Sequence, residues 1–189
     1  MDRDALSSMV ARAADGDEIA FARIVAAHHD DMARVAYVMC SDVDVAQEAV
    51  QSAWAKAWTR LDTIRETDRL KPWLVSIAAN EAKQLVRSRS RRRVREIPMP
   101  ESPADGPEPV AASRTGSNPA DRVADLDLAA ALGTLDDTDR TLVALRYAGG
   151  LTSDEIGRVI GMTGGGVRAR LARLLHRLRT ELDDDEPAR

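Results

Sequence analysis

Residues 151–179, LTSDEIGRVIGMTGGGVRARLARLLHRLR, decide how the rest of the chain is read. Thr152 and Glu155 stand three apart, the spacing at which a hydroxyl and a carboxylate each satisfy the other's backbone N–H and start a helix. Ile156 and Ile160 give that short helix an apolar edge, and Gly157 leaves room for a second helix to cross close to the backbone. Gly161 suits a tight left-handed turn, and after Met162 the hydroxyl of Thr163 caps a second helix. Val167, Leu171, Leu174 and Leu178 form the buried side of that helix, while Arg168, Arg170, Arg173 and Arg177 occupy the rest. A short helix, a Gly turn and a second helix with a basic outer face make a helix-turn-helix suited to the major groove. A helical hairpin with a solvated basic face is the plainer alternative.

Totals narrow the remainder. A chain of 189 residues holds one large domain or two small ones. Only 3% of it is aromatic, whereas Ala, Leu, Val and Arg abound, which favours helices over sheets. The net charge of −4 does not point to nucleic acid, but its distribution does. Arg clusters at 87–95 and 168–179, and acid collects at the N-terminus, at 101–108 and in Asp183–Glu186. Cys40 is the only cysteine, so neither a disulfide framework nor a Cys-based zinc site is expected. MDRDALSSMV does not read as a signal peptide, and no run of eighteen apolar residues predicts a spanning helix.

Residues 15–39 read as helix with a break near His28–Asp30, carrying Phe21, Ile24, Val25, Met32, Val35 and Val38 at helical steps. The adjacent His28 and His29 diverge by about 100° on a helix and do not make a metal pair. Cys40-Ser41-Asp42 marks a turn. From Asp44 to Arg60 the spacing predicts a helix with Val50, Trp54, Trp58 and Leu61 on one side, both Trp read as core. A polar loop over 62–70 leads to KPWLVSIAANEAKQLVRSRSRRR, in which Pro72 fits a first helical turn. Leu74, Ile77, Ala78 and Leu85 make its apolar stripe. Trp73, Ser76, Asn80, Lys83, Gln84, Arg87 and Arg91 make a second stripe of amide and cationic groups, the chemistry that phosphates and exposed bases accept from a helix. A solvated face with a basic, dipole-favoured end is its plainer explanation.

Residues 97–120 hold six of the eight prolines and read as a semi-extended linker, able to span roughly 80 Å at ~3.3 Å per residue. Val123, Leu126, Leu128, Ala131, Leu132 and Leu135 begin a second module with a helix. Asp136 or Asp137 caps the next helix, TDRTLVALRYA, which Gly149-Gly150 ends. No phosphate loop, nucleophile triad or metal spacing is present.

Taken in order, these segments resemble bacterial sigma factors of the extracytoplasmic-function type. EAVQSAWAKAW is similar to the segment that grips the polymerase clamp helices, and KPWLVSIAANEAKQLVRSRSRRR to the one that binds the melted minus-ten element. LDDTDRTLVALRYAGGLTSDEIGRVIGMTGGGVRARLARLLHRLR is similar to the region that reads the minus-thirty-five element. The resemblance implies an all-α protein of two small helical domains. A region-2-like domain over 1–95 and a region-4-like domain over 122–182 are joined by a flexible Pro-rich acidic linker over 96–121 and followed by an acidic tail over 183–189. It implies a cytoplasmic promoter-specificity subunit, not an enzyme, with no cofactor and no metal. Its partners would be core RNA polymerase (clamp helices and flap), promoter DNA as duplex and single strand, and an anti-sigma factor, with no direct membrane insertion. Glu48, Gln51, Ser52 and Lys56 would face polymerase; Trp73, Asn80, Lys83, Gln84 and Arg87 the melted strand; Thr163, Gly165, Arg168, Arg170 and Arg173 the upstream duplex. The 62–70 loop would capture an unstacked base, and the acidic linker would follow the RNA path.

Three departures stand out. Ser52 replaces a usual acid, and Gly164 and Gly166 replace a Glu and a Thr or Ser at the start of the reading helix. Ala169 and Ala172 are small where larger side chains often meet DNA. With each internal Gly costing roughly 1 kcal/mol relative to Ala, that first turn is expected to fray and to rely on phosphate contacts and duplex shape. Two rivals remain: a stand-alone helix-turn-helix repressor or activator, and a helical adaptor binding an acidic protein.

Overall fold

All regular structure in the described residues is helical. The computed structural model describes residues 3–95 and 132–184. Four helices come first: α1 (Arg3–Ala14), α2 (Glu18–Cys40), α3 (Val43–Arg60) and α4 (Leu70–Arg95), with two 3₁₀ turns, Leu61–Thr63 and Thr67–Arg69, between the last two. Then follow α5 (Asp137–Val143), a π-helical turn (Ala144–Ala148), α6 (Ser153–Ile160) and α7 (Gly164–Asp184). The predicted linker, the Val123–Ala131 part of the predicted helix and the tail residues from Asp185 onward lie outside the described residues. Of that segment residues 132–135 are described: the helix ends at Gly133, short of Leu135, and Leu132 and Leu135 are buried.

Short polar side chains set the helix starts. Asp17 accepts from Ala20 N at 3.0 Å and Asp42 from Val45 N at 3.0 Å, satisfying N–H groups that a first helical turn leaves open. Between α2 and α3 Ser41 adopts φ 53° and its N–H donates to Tyr37 O at 2.7 Å, so the chain turns within two residues.

The expected break in α2 is absent. Glu18–Cys40 is one helix of 23 residues, with Ile24, Met32, Val35, Ala36 and Met39 along its buried side. Its sequence contains no Gly or Pro, and His and Asp inside a helix each cost well under about 1 kcal/mol, which burial of that stripe outweighs. The quartet HHDD interrupts the apolar pattern without interrupting the backbone. Nor does the α3 core consist of its tryptophans. Val45, Ala46, Ala49, Val50, Ala53 and Ala57 are buried, while Trp54 is half-buried and Trp58 exposed. The small alanine face lets α2 and α4 pack closely on α3, and the indoles lie at the edge against Phe21, with ring centroids 5.7 and 4.7 Å away. Helix α1, which its acidic opening did not suggest, buries Val10 and Ala13 against α2.

In the second module Thr152 and Glu155 form the capping box. Thr152 N donates to Glu155 Oε2 at 2.7 Å and Glu155 N to Thr152 Oγ1 at 3.3 Å. Gly161 takes φ 74° at the turn. A Cβ on Gly157 would collide with the Met162 carbonyl oxygen, so Gly is what lets α6 and the turn meet. The two modules also touch. Leu142, Leu145, Leu151, Ile156, Val167 and Leu171 belong to the same apolar cluster as Ile24, Val35, Leu74 and Ala78. Nothing in the periodicity predicts this packing, because a residue between modules and a residue within one obey the same pattern.

Candidate nucleic-acid interface

Helix α4 carries its polar stripe opposite a buried side that is apolar apart from Glu81. Leu70, Leu74, Val75, Ala78 and Ala82 are buried. Asn80, Gln84, Arg87 and Arg91 are exposed, and Trp73, Ser76 and Lys83 half-buried. The three- and four-residue spacing of these seven puts them on one side of the helix. The Ser76 hydroxyl donates to Trp73 O at 2.7 Å, a local bond that fixes its rotamer. An open groove of about 500 Å³ lies between the 62–70 segment, the start of α4 and α6, lined among others by Arg65, Arg69, Trp73, Ser76, Arg158 and Val159. The structure thus brings the expected base-capture loop beside Trp73, and adds α6 as a third wall that sequence reasoning did not foresee.

Two cations of the stripe already have an anion. Asp137 Oδ2 lies 2.7 Å from Arg87 Nη2 and 3.7 Å from Lys83 Nζ. The Arg87 hydrogen bond, ahead of the nearby Lys83 charge, holds the Asp137 carboxyl below the usual carboxylate range. Sequence left the cap of α5 open between Asp136 and Asp137. Asp136 is the cap, accepting from Thr138 N at 2.8 Å and Asp139 N at 2.7 Å, which frees Asp137 to reach α4.

The four residues expected to face polymerase lie along α3. Gln51 is exposed and Ser52 half-buried. Glu48 accepts from Arg89 Nη2 at 3.1 Å, and Lys56 Nζ sits 2.6 Å from Oε1 of buried Glu81. These pairs tie α3 to α4 and fix the mutual setting of the two surfaces. Glu81 was missed in the sequence. Its signal was an acid seven residues after Leu74 and three after Ala78, on the apolar side of the helix, where a buried partner is needed.

On α7, Arg168 and Arg173 are exposed, Arg168 lying 3.8 Å from Asp154. Arg170 points elsewhere: its Nε donates to Asp139 Oδ1 at 2.6 Å and its Nη2 to Asp136 Oδ2 at 3.0 Å. Arg177 Nη2 donates to Asp139 Oδ2 at 3.2 Å. The buried Asp139 carboxylate therefore anchors α7 to α5, a role the sequence did not reveal. The first turn of α7 is formed through all three glycines, with Gly166 N donating to Thr163 Oγ1 at 3.1 Å. Gly164 leaves the space that the Asp154 side chain fills beside the helix start.

Other reactive groups are quiet. Burial, then the Asp42 charge, pushes the Cys40 thiol up to about 12, so it is not a thiolate. Burial lowers the His28 pKa, and its Nδ1 is buried with no hydrogen-bond partner. Among the described residues no cluster of three His, Cys, Asp or Glu is placed to hold a metal, and no helix is long and apolar enough to cross a membrane.

The class defined by this arrangement is an all-helical protein of two modules, with an amide and cationic helix face on one and a helix-turn-helix on the other. Residues 24–92 match the family model for Sigma-70 region 2, and residues 131–180 that for Sigma-70 region 4. RNA polymerase sigma factor CnrH of Cupriavidus metallidurans is 30% identical over 96% of this chain and 96% of its own length. Probable RNA polymerase sigma factor RfaY of Xanthomonas campestris is 28% identical over 96% of this chain, which spans only 46% of that relative's length. The sigma factor RpoE of Bartonella quintana, solved with the anti-sigma factor NepR, superposes with a TM-score of 0.65 at 26% identity, covering 88% of this chain and 98% of that one. The chain belongs to the extracytoplasmic-function family of RNA polymerase sigma factors. Both matched regions in one chain disfavour a stand-alone helix-turn-helix repressor or activator, and sigma factors are in general DNA-binding regulators that are not themselves catalysts.

Proposed function

We propose that residues 1–95 dock on core RNA polymerase through Glu48, Gln51, Ser52 and Lys56 and hold the melted minus-ten strand on Trp73, Asn80, Lys83, Gln84 and Arg87. Residues 122–182 read the minus-thirty-five duplex through Arg168 and Arg173, with Thr163 and the Gly165 backbone close to phosphate and Arg170 sharing its fork between Asp139, Asp136 and phosphate. The acidic linker over 96–121 follows the RNA path of polymerase. Polymerase supplies the catalysis and this chain the address and the strand opening. It acts in the cytoplasm, without a cofactor, and an anti-sigma protein is its inhibitor, as NepR is the partner of the RpoE relative.

One observation carries this reading: the amide and cationic stripe of α4 is continuous, backed by an apolar stripe, and separate from the exposed arginines of α7. A phosphate-positioning, base-stacking surface for single strands needs the first, and groove reading the second. Asn80→Ala is expected to leave association with polymerase intact while reducing strand opening. Arg168→Ala is expected to weaken the upstream footprint, with a bidentate Arg–guanine contact worth about 1–3 kcal/mol. Equal loss of polymerase binding and opening in Asn80→Ala would remove Asn80 from the strand surface, and an unchanged upstream footprint in Arg168→Ala would move α7 out of the groove.

A further inference from the structure

The three glycines that open α7 give its first turn no side chains of its own, yet two charged groups occupy that space. Asp154 reaches it from α6. An ideal Cβ on Gly164 would lie 1.7 Å from Asp154 Oδ1, so the carboxylate stands where a side chain of α7 would begin. Arg168 reaches it from the next turn of α7, leaning back toward the helix start as long helical side chains do. Its Nη2 lies 3.9 Å from the place of a Cβ on Gly165. Arg168 Nη1 and Asp154 Oδ1 are 3.8 Å apart, close enough to attract and too far to share a hydrogen bond. The two side chains are 64% and 70% exposed, so the donors of one and the lone pairs of the other remain available to a ligand.

A recognition helix enters the major groove with its N-terminal residues toward the base edges, and that is the end where this pair sits. A carboxylate there is repelled by phosphate and finds a partner only in an amino group of a base. Across the groove a G·C pair presents two acceptors, guanine N7 and O6, and then a donor, cytosine N4. An A·T pair ends instead in the acceptor O4 of thymine, which a carboxylate repels. We propose that Asp154 and Arg168 together read one G·C pair of the upstream element, the Arg168 fork on guanine N7 and O6 and the Asp154 carboxylate on cytosine N4. This rests on the reading of α7 as the helix that enters duplex DNA. The supporting helix α6 thus supplies a base contact that the glycine turn of α7 lacks, and Gly164 is the residue that admits it. Because the two side chains come from different helices, their order along the groove is fixed. The pair therefore distinguishes G·C from C·G as well as from A·T.

The test uses the full chain bound to core polymerase, which selects duplexes from a library randomised in the upstream element. The parent is expected to hold G·C at one pair. Asp154→Ala is expected to lower that preference about tenfold, the size of one good base contact, and to leave the other positions alone. Asp154→Asn, whose amide also donates, is expected to admit thymine at the same place. Gly164→Ala adds a methyl where Asp154 Oδ1 lies, so it is expected to displace the carboxylate and reproduce the Asp154→Ala profile, although Ala suits the helix better. Adding Asp154→Ala to Arg168→Ala is expected to change the profile less than Asp154→Ala does in the parent. An acid that only steadies the start of α7 would instead lower the urea midpoint and weaken every duplex equally. Uniform weakening with an unchanged profile therefore overturns the proposal, as does a parent-like profile in Asp154→Ala. A parent chain that selects no upstream base at all overturns the reading of α7 together with the pair, which separates the two failures.

Discussion

Replacing Asp139 with Asn tests how α7 is held in its reading position. Asp139 is 6% exposed and its two oxygens accept from Arg170 at 2.6 Å and Arg177 at 3.2 Å. Asn keeps the size and one acceptor but removes the charge. Breaking a fully buried pair costs about 3–5 kcal/mol because a stranded charge remains. Here the Arg170 and Arg177 side chains are 31% and 52% exposed, so both guanidinium groups can return to water. What is lost is then two charge-assisted hydrogen bonds, discounted for that exposure, or about 1.5–3 kcal/mol in total. Urea unfolding followed by far-ultraviolet circular dichroism reads this directly. The same measurement on Arg170→Met and on the double variant should return a coupling of about 1 kcal/mol or more. A loss below about 0.5 kcal/mol, the scatter of ordinary surface changes, would mean that Asp139 does not anchor α7 and that the placement of Arg168 and Arg173 derived from it is wrong.

Thr152→Ala removes the hydroxyl half of the capping box at α6, leaving the backbone N–H of that position on Glu155, and is expected to cost about 0.5–2 kcal/mol in the same urea experiment. Gly157→Ala should destabilise by about 1–2 kcal/mol, although Ala is the better helix former by about 1 kcal/mol, because the new Cβ meets the Met162 carbonyl; duplex binding should fall with it. For Glu155, burial raises the pKa but the Thr152 hydrogen bonds and Arg158 outweigh it, and for Asp136 the Asp139 N–H lowers it. With Asp137 this gives three carboxyls depressed on folding. Depressed carboxyls stabilise fully above their unfolded pKa, so their contribution should hold above about pH 5 and fall steadily below about pH 4. The His28 pKa is also depressed, by burial, so its neutral form is favoured in the fold and its contribution is lost as pH falls from about 6.5 through the folded value. His28→Phe should flatten that upper slope in a pH series of urea midpoints.

Local order was legible in the sequence because it is written in neighbours. Thr152 and Glu155, Gly157, Gly161, Val167 and Leu171 all act within one or two turns, and each is where its spacing predicted. The α4 stripe was legible for the same reason. What escaped was set by distant residues. Glu81 and Lys56 are 25 apart, Asp139 and Arg170 31 apart, and Arg87 and Asp137 50 apart. An acid that will be buried against an arginine looks, in one dimension, like any surface acid. The tryptophans misled through size: Trp54 and Trp58 are too large for the close α2–α3–α4 packing that Ala46, Ala49, Ala53 and Ala57 allow. At α2 the expected break near His28–Asp30 does not form, because the segment holds no Gly or Pro and its apolar stripe continues on both sides.

The central claim is that α4 holds a single strand while α7 grips duplex upstream, both on polymerase. Permanganate probing of a promoter fragment, with core polymerase and the full chain, addresses it most directly. Reactive thymines around the minus-ten element that appear only when polymerase, the chain and DNA are all present are the predicted result, with the signal reduced by Asn80→Ala. Duplex binding without any reactive thymine would contradict it.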